Sequence, residues 1–453
     1  MQELLRIGCA SGFAGDRADA GLPIVAELAG SNGFLVFETL AERTLALCQL
    51  EKRRDAARGY SPALERMLPI VLGPALANGI RIVGNFGGAN PRAAAVRIRA
   101  LAREAGFPKA RVAVIEGDDL TASFSPEELA ARETGGTVLE NCPEVVAANV
   151  YLGASPIAQA LDSGADVVVT GRVADPALAL GPVVHTYGWD WMDWPRLAAG
   201  MLAGHLLECG AQVTGGYFAD PPFKDVPDLA TVGYPIVEVA GSGHLVMTKP
   251  ARSGGIIDVR TVTEQILYEI HDPSAYLTPD VVLDITDVEL IPDGPNRIGV
   301  IGARGKARPD TLKATVFIEG GMLGEAEISY AGPNALARAR LAADIVKQRL
   351  AARAPELEFR VDAIGITSVL GNLSAQAWDE IGGAPEVRLR FAAQHARREL
   401  VELLLDEVEA LYCAGPAGGA GVRRHSTARL ASASCLIERE RVTPTVMFAE
   451  TPA

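Results

Sequence analysis

Six short apolar runs within the first 170 residues constrain this chain more than any other feature, because nearly all break off at glycine or a charged residue. Leu5–Ala10 runs into Ser11-Gly12-Phe13-Ala14-Gly15-Asp16-Arg17, and Phe34–Phe37 stops at Glu38. Arg81–Asn85 leads to Gly87-Gly88-Ala89-Asn90-Pro91, and Arg111–Ile115 to Glu116-Gly117-Asp118-Asp119. Val145–Val150 is followed by Gly153, and Val167–Thr170 by Gly171-Arg172-Val173-Ala174-Asp175. Helical patterns separate most of them, as in Leu40–Arg54 and the stretch from Pro91 to Ala105. Continuous apolar strands alternating with amphipathic helices are the pattern of strands buried on both faces. The predicted fold class is α/β: a parallel sheet with helices on both faces, followed by a mixed α+β lobe.

The texture shifts near residue 215. Tyr234–Val239, His244–Lys249, Val281–Leu290, Arg297–Ile301 and Leu312–Ile318 read as strands joined by Gly, Pro and Asp turns. Helices through Val262–Ile270 and Asn334–Ala351 interrupt them, and Ala351–Glu358 reads as a hinge. A last unit follows, with strands around Phe359–Thr367 and Val387–Ala393 and a helix through Gln394–Tyr412. The expected division is a parallel α/β domain over 1–214, a mixed lobe over 215–355 and a smaller α+β unit over 356–453.

Charge removes whole classes of partner. Lys and Arg total 42 against 56 Asp and Glu, a net charge of -14. Duplex nucleic acid and anionic membrane surfaces need a basic footprint, so neither is an expected partner. No apolar run reaches membrane-spanning length, and the N-terminus lacks the pattern of a signal peptide, so the expected location is the cytoplasm. Cys9, Cys48, Cys142, Cys209, Cys413 and Cys435 are scattered and form no CxxC pair, which suits reduced thiols. There is no HExxH or HxH pair for zinc, whereas a divalent cation held by carboxylates from distant segments stays open. A homo-oligomer is expected, on the general frequency of symmetric assembly among enzymes.

Ligands of open parallel sheets bind beyond the carboxyl ends of the strands, so the loops named above hold the candidate site. Glu38 and Glu42 share a face if the helix begins at Glu38, and two carboxylates at that spacing raise a pKa and suit acid–base work. The competing role for Glu38 is a carboxylate at a helix start. Asp118 sits in a run of three carboxylates that are either functional or merely solvated. Arg17 either clamps an anion or pairs with Asp16, and Arg172 either binds substrate or pairs with Asp175. Asn85, Gly87, Gly88 and Asn90 precede a helix, with Asn90 as N-cap and Pro91 as first residue, a common anion cradle. Neither GxGxxG nor a Walker A sequence is present, so no NAD or NTP site is specified, and the cofactor is open. His205, Glu208 and Cys209 share a helical face, so a cysteine nucleophile competes with an ordinary buried thiol.

Taken together, RIGCASGFAGDR, FLVFETLAERTLAL, NFGGANP, VVVTGRVADPALALGP, HLLECGAQVTGG, EQILYEIHDPSAYLTPDVV, GEAEISYAGPNALARARLA and GPAGGAGVR resemble the acyclic terpene utilisation AtuA family, from Arg6 to about Pro444. The resemblance implies a protein of a degradative pathway whose intermediates are branched acyl-CoA thioesters. It brings no residue roles with it. The expectation is an enzyme acting on a branched acyl-CoA or small carboxylate by lyase or hydratase chemistry. Glu38, Asp118 and Glu42 are its candidate catalytic groups. Arg17, Asn85, Gly87, Gly88, Asn90, Arg172 and Asp175 are its candidate binding groups. The alternative is a non-catalytic binding or scaffold protein.

Overall fold

The computed structural model describes residues 4–140, 144–369 and 385–449. The chain forms two compact units, Met1–Phe317 together with Ser432–Ala453, and Ile318–Ala431. The first unit begins β1 (Leu5–Cys9), α1 (Gly21–Leu28), β2 (Phe34–Phe37), α2 (Glu42–Arg54), α3 (Ala63–Ala77), β3 (Arg81–Gly84), α4 (Pro91–Glu104) and β4 (Val112–Glu116). It continues through α5 (Pro126–Ala130), β5 (Glu133–Thr134), β6 (Val145–Val150), α6 (Ser155–Asp162), β7 (Val167–Thr170), α7 (Ala177–Tyr187) and α8 (Trp194–Glu208). Then come β8 (Ile236–Val239), β9 (Leu245–Thr248), α9 (Val259–Leu267), β10 (Tyr276–Leu277), β11 (Val282–Asp284), β12 (Glu289–Pro292), β13 (Ile298–Ile301) and β14 (Arg304–Lys306). The chain enters the second unit along β15 (Thr311–Ala331).

The main sheet has the order β12-β13-β9-β8-β1-β2-β3-β7-β4, with a last strand from the C-terminal segment beside β4. Its centre, β1-β2-β3-β7-β4, is parallel as expected. The sheet as a whole is mixed, because β8 pairs antiparallel with β1, and β9, β13 and β12 continue antiparallel. The short Ala240–His244 turn explains part of this: β8 and β9 are joined too closely for the crossover that parallel strands need. Segments assigned by sequence to another lobe thus extend the same sheet. β6 is a strand as expected, but it pairs with β15 instead of joining the main sheet.

Alternating side chains fill two cores. Leu35, Phe37, Ile82, Val112, Val114, Val167 and Val169 pack with α1, α3 and α4. The intervening Phe34 turns to α7, its ring edge-on to His185 at 6.3 Å. A strand covered by helices on both sides has no solvated face, which is why FLVF and VVVT carry no polar alternation. The helix boundaries are set locally. Asn90 accepts from the Ala93 N–H with Pro91 as first residue of α4, Asp258 forms a capping box with Thr261 on α9, and Gly188 ends α7 at φ 61°.

In the second unit α10 (Ala335–Arg353) follows β15, then β16 (Phe359–Ile364), β17 (Glu386–His395) and α11 (Arg398–Glu409). β16, β17 and β15 are neighbours in antiparallel pairing. Ala339, Val346 and Leu350 of α10 and Leu404 and Val408 of α11 bury Tyr330, Leu389 and Phe391 of the sheet. β18 (Ala420–Glu438) carries the chain back, and β19 (Thr445–Phe448) is the antiparallel strand beside β4. Cys9, Cys48 and Cys435 are buried free thiols, Cys413 is exposed, and Cys142 lies outside the described residues. Among the described residues no helix is long and apolar enough to cross a membrane.

Candidate functional site

A cleft of about 640 Å³ opens beyond the carboxyl ends of β1, β2 and β7. That is the expected place in a sheet of this kind, and the volume suits a small molecule. Gly12, Phe13 and Asp16 follow β1, Glu38 and Glu42 follow β2, and Arg172 and Asp175 follow β7. The end of α8 contributes His205, Glu208 and Cys209, and β15 contributes Lys313. Tyr151, Tyr217, Tyr234, Tyr268 and Tyr276 also line it, five of the nine tyrosines in the chain.

Glu38 is held by its own strand end. Its Oε1 accepts from the Leu40 N–H at 2.7 Å and from Asn85 Nδ2 at 3.0 Å. Asn85 is fixed in turn, its Oδ1 accepting from the Thr39 N–H at 2.7 Å. Burial pushes the Glu38 carboxyl up to about 8, and the negative charge of Asp175 adds to this against the pull of Leu40, Arg172 and Asn85. The group is therefore predominantly protonated at neutral pH.

Glu42 behaves oppositely. The helix α2 begins at Glu42, so Glu38 precedes it in extended chain and the two do not share a helical face. Burial by itself would raise the Glu42 carboxyl. The Tyr151 hydroxyl, which donates to Oε1, together with Arg172 and with Lys313 at 3.5 Å, outweighs burial and holds it at about 2. The carboxylate whose charge raises Glu38 is Asp175, contrary to the expected Glu38–Glu42 interaction.

Arg172 is the buried cation of the cleft. Its Nη1 donates to the Leu40 carbonyl, its Nη2 to Asp175 Oδ2 at 3.2 Å, and its guanidinium lies 4.0 Å from the Tyr151 ring centre. Burial disfavours its charge, and Asp175, Tyr151, Glu42 and Glu38 more than restore it. Asp175 Oδ1 is 3.1 Å from Nη1 but lies outside hydrogen-bonding geometry. At the end of α8, His205 places Nδ1 2.8 Å from Glu208 Oε1 and Nε2 3.2 Å from the Ile266 carbonyl. Burial raises the Glu208 carboxyl, as do Asp175 and Glu269, against the pull of His205. Cys209 is pushed well above the ordinary thiol range by burial and by Glu208, which disfavours the thiolate a nucleophile needs.

The other sequence candidates lie elsewhere. Asp118 is buried and does not line the cleft; its Oδ2 accepts from the Arg172 N–H at 2.8 Å and from Asn149 Nδ2 at 3.0 Å. Burial raises it to about 6. It braces the turn after β7, where a Cβ on Gly171 would come within 2.5 Å of its Oδ1. The Gly87 and Gly88 N–H groups donate to the carbonyls of Thr170 and Asn85, so they form no anion cradle. Asn90 donates to the Ala56 and Arg58 carbonyls. Arg17 is exposed and pairs with Asp19, whereas Asp16 accepts from the Gly12 N–H at 2.8 Å and from the Tyr234 hydroxyl. Among the described residues no group of three or more His, Cys, Asp or Glu side chains is placed to hold a metal ion.

Tyr151, Lys313, Glu208 and the tyrosines escaped the strand-end argument. Most come from helix ends or from segments far along the chain, where spacing carries no signal. His205 and Glu208 stood out by their helical spacing, but as helpers of Cys209.

The family model described as "Acyclic terpene utilisation family protein AtuA" matches residues 5–448. No curated protein matches the chain. Among solved structures, the de novo designed protein Foldit4 aligns at 12% identity over 24% of this chain and 97% of that one, with a TM-score of 0.18.

Proposed function

Because the chain belongs to the acyclic terpene utilisation AtuA family, we propose that it is a catabolic enzyme whose cleft moves a proton at a carbon–oxygen bond of a small carboxylic substrate, as a free acid or thioester. The observation carrying this reading is Glu38, a buried carboxyl kept protonated near neutral pH and facing a cleft that also holds the ionised Glu42. An acid whose pKa lies near the working pH transfers protons most effectively, and two carboxyls driven apart by their surroundings divide the acid and anion roles.

In the lyase direction the carbon–oxygen bond breaks and its electron pair leaves with oxygen. Glu38 gives its proton to that oxygen, releasing water. The adjacent carbon loses a proton to one of the remaining cleft carboxylates, and its C–H electrons form the carbon–carbon double bond. The hydratase direction is the reverse. Arg172 and Lys313 supply the positive charge that steadies a developing enolate or carboxylate. Asn85 aims Glu38, and Tyr151 with Lys313 keeps Glu42 ionised.

The test is a panel of hydroxyacyl and enoyl acids and their CoA thioesters, assayed with the wild type and with Glu38→Gln. The expected result is hydration or dehydration by the wild type and a fall of roughly 10²–10⁴-fold in the variant. Turnover of no member, or turnover indifferent to the substitution, rejects the reading.

A further inference from the structure

Six carboxyl groups line the cleft: Asp16, Glu38, Glu42, Asp175, Glu208 and Glu269. Elimination of water needs an acceptor for the carbon proton besides the acid Glu38. Four of the others are engaged. Against burial, the Tyr151 hydroxyl, Arg172 and Lys313 hold Glu42 at about 2, so it resists protonation. Asp16 accepts from the Gly12 and Arg17 N–H groups, both at 2.8 Å, and from the Tyr234 hydroxyl. Asp175 pairs with Arg172, and Glu208 with His205. Glu269 remains. It is the only exposed residue of the six, and it stands in no ion pair among the described residues. The Tyr268 hydroxyl, which Gln212 also holds, reaches its carboxylate.

The backbone at Glu269 is costly for a glutamate. The chain leaves α9 through the turn Leu267–Ile270, where the Ile270 N–H donates to the Leu267 carbonyl at 3.4 Å. Tyr268 has φ −64° and ψ 126°, and Glu269 has φ 59°. These are the angles of a type II turn, whose third residue is ordinarily glycine because a side chain at positive φ is strained. Neither burial nor an ion pair of the side chain offsets that strain. The carboxylate nevertheless acts inward: burial raises Asp175, Glu208, Cys209 and Tyr276 of the cleft, and the Glu269 charge adds to each. A charge directed into bulk water is screened from such groups. We propose that Glu269 is the base of the cleft, taking the proton from the carbon next to the carbon–oxygen bond that Glu38 opens. This rests on the reading of the cleft as a site of elimination and names its second catalytic group. The C–H electron pair becomes the second bond of the alkene, and the C–O pair leaves with oxygen, which the Glu38 proton completes to water. Glu269, being exposed, passes its proton to solvent while Glu38 regains one, so the cycle closes without another reactant.

Proton abstraction is tested apart from carbon–oxygen cleavage with butyryl-CoA, a thioester that has no hydroxyl to lose. In D₂O, proton NMR follows the signal of the CH₂ next to the thioester carbonyl in the presence of the full chain. The wild type and Glu38→Gln should both exchange it, and Glu269→Gln should slow exchange by roughly 10²-fold or more. Glu269→Gly removes the base and gives the turn its usual residue. Its exchange should fall as far, while its thermal midpoint stays level with the wild type or rises. No exchange by the wild type, or exchange surviving in either Glu269 variant, overturns the proposal. A lower midpoint in Glu269→Gly does so too, because the carboxylate would then be holding the turn. Exchange lost in Glu269→Gln beside turnover indifferent to Glu38→Gln rejects Glu38 as acid and keeps the base. Turnover lost in Glu38→Gln beside exchange surviving in Glu269→Gln does the reverse.

Discussion

Two pairs of strand-end loops carry nearly the same sequence signature and do different work. The loops after β2 and β7 place Glu38, Arg172 and Asp175 in the cleft, with Arg172 Nε and Asp175 Oδ1 buried and without a hydrogen-bond partner among the described residues. The loops after β3 and β4 carry Asn85, Gly87, Gly88, Asn90 and Asp118, and every one of these is turned inward to hydrogen bonds within the protein. Both pairs set polar or charged residues directly after an apolar run, with glycine beside them in the loops after β3, β4 and β7. What separates them is where the polar groups place their hydrogen bonds. A strand-end group that its neighbours fully satisfy is a brace, and one left partly unsatisfied inside a cleft is available to a ligand.

The sharpest way to break this contrast is to neutralise one buried carboxyl from each pair. Glu38→Gln should lower turnover by roughly 10²–10⁴-fold while leaving the fold intact, since a glutamine keeps the acceptor for the Leu40 N–H. Asp118→Asn should leave turnover within a few-fold of wild type and instead cost about 1–2 kcal/mol of stability, because one of two hydrogen bonds to Oδ2 survives only with rearrangement. Kinetics alongside denaturant unfolding of both proteins decides it. If Asp118→Asn loses activity as deeply as Glu38→Gln, the division into site and brace fails.

Next in size is the ion pair of the cleft. Arg172→Met removes the cation and strands Asp175 in a poorly solvated place, a change that typically costs about 3–5 kcal/mol. The exposed Arg17, paired with Asp19 in water, should cost no more than about 1 kcal/mol when replaced by Met. Urea unfolding of the two variants measures the gap. Equal losses would mean that Arg172 is far better solvated than its burial indicates.

Proton linkage sharpens the comparison further. The folded-state pKa of Glu38, about 8, lies above its ordinary value of 4.5, so the folded state binds the proton more tightly. Its contribution to stability is complete below about pH 4.5 and is lost as pH rises through about 8. Thermal midpoints of wild type and Glu38→Gln at pH 5 and pH 8.5 should therefore diverge, with the variant losing less on going to the higher pH. Identical pH trends would place the Glu38 carboxyl at an ordinary pKa and remove the basis for its role as acid.

Much of this arrangement is legible in the amino-acid sequence. The apolar runs locate the parallel strands, and the strand-end rule points to Glu38, Arg172 and Asp175. What stays illegible is the partner of each group. Sequence offers Asp16 to Arg17 and Glu42 to Glu38 because they are near along the chain, whereas folding supplies Asp19 to one and Asp175 to the other. Lys313, more than 270 residues beyond Glu38, and Tyr151, at the end of a strand outside the main sheet, reach the cleft through tertiary packing that no local spacing encodes. The antiparallel flank of the sheet is hidden for a related reason. Buried flanking strands such as β8 have much the same apolar texture as the parallel ones, and texture does not report direction.

The smallest expected effect probes the brace side alone. Asn90 Oδ1 caps α4 through the Ala93 N–H at 3.3 Å, and its Nδ2 ties that helix start to the Ala56 and Arg58 carbonyls at 2.8 and 2.7 Å. Asn90→Ala removes the cap and both ties. Because the side chain is partly in contact with water, the carbonyls recover hydration and the loss should be about 1 kcal/mol, near the usual value of a cap. Asn90 does not line the cleft, so KM and kcat for any substrate should stay within about twofold, a range that ordinary surface substitutions span. A selective rise in KM, with little loss of stability, would instead restore the helix start after β3 as part of the binding site and erase the distinction between the two pairs of loops.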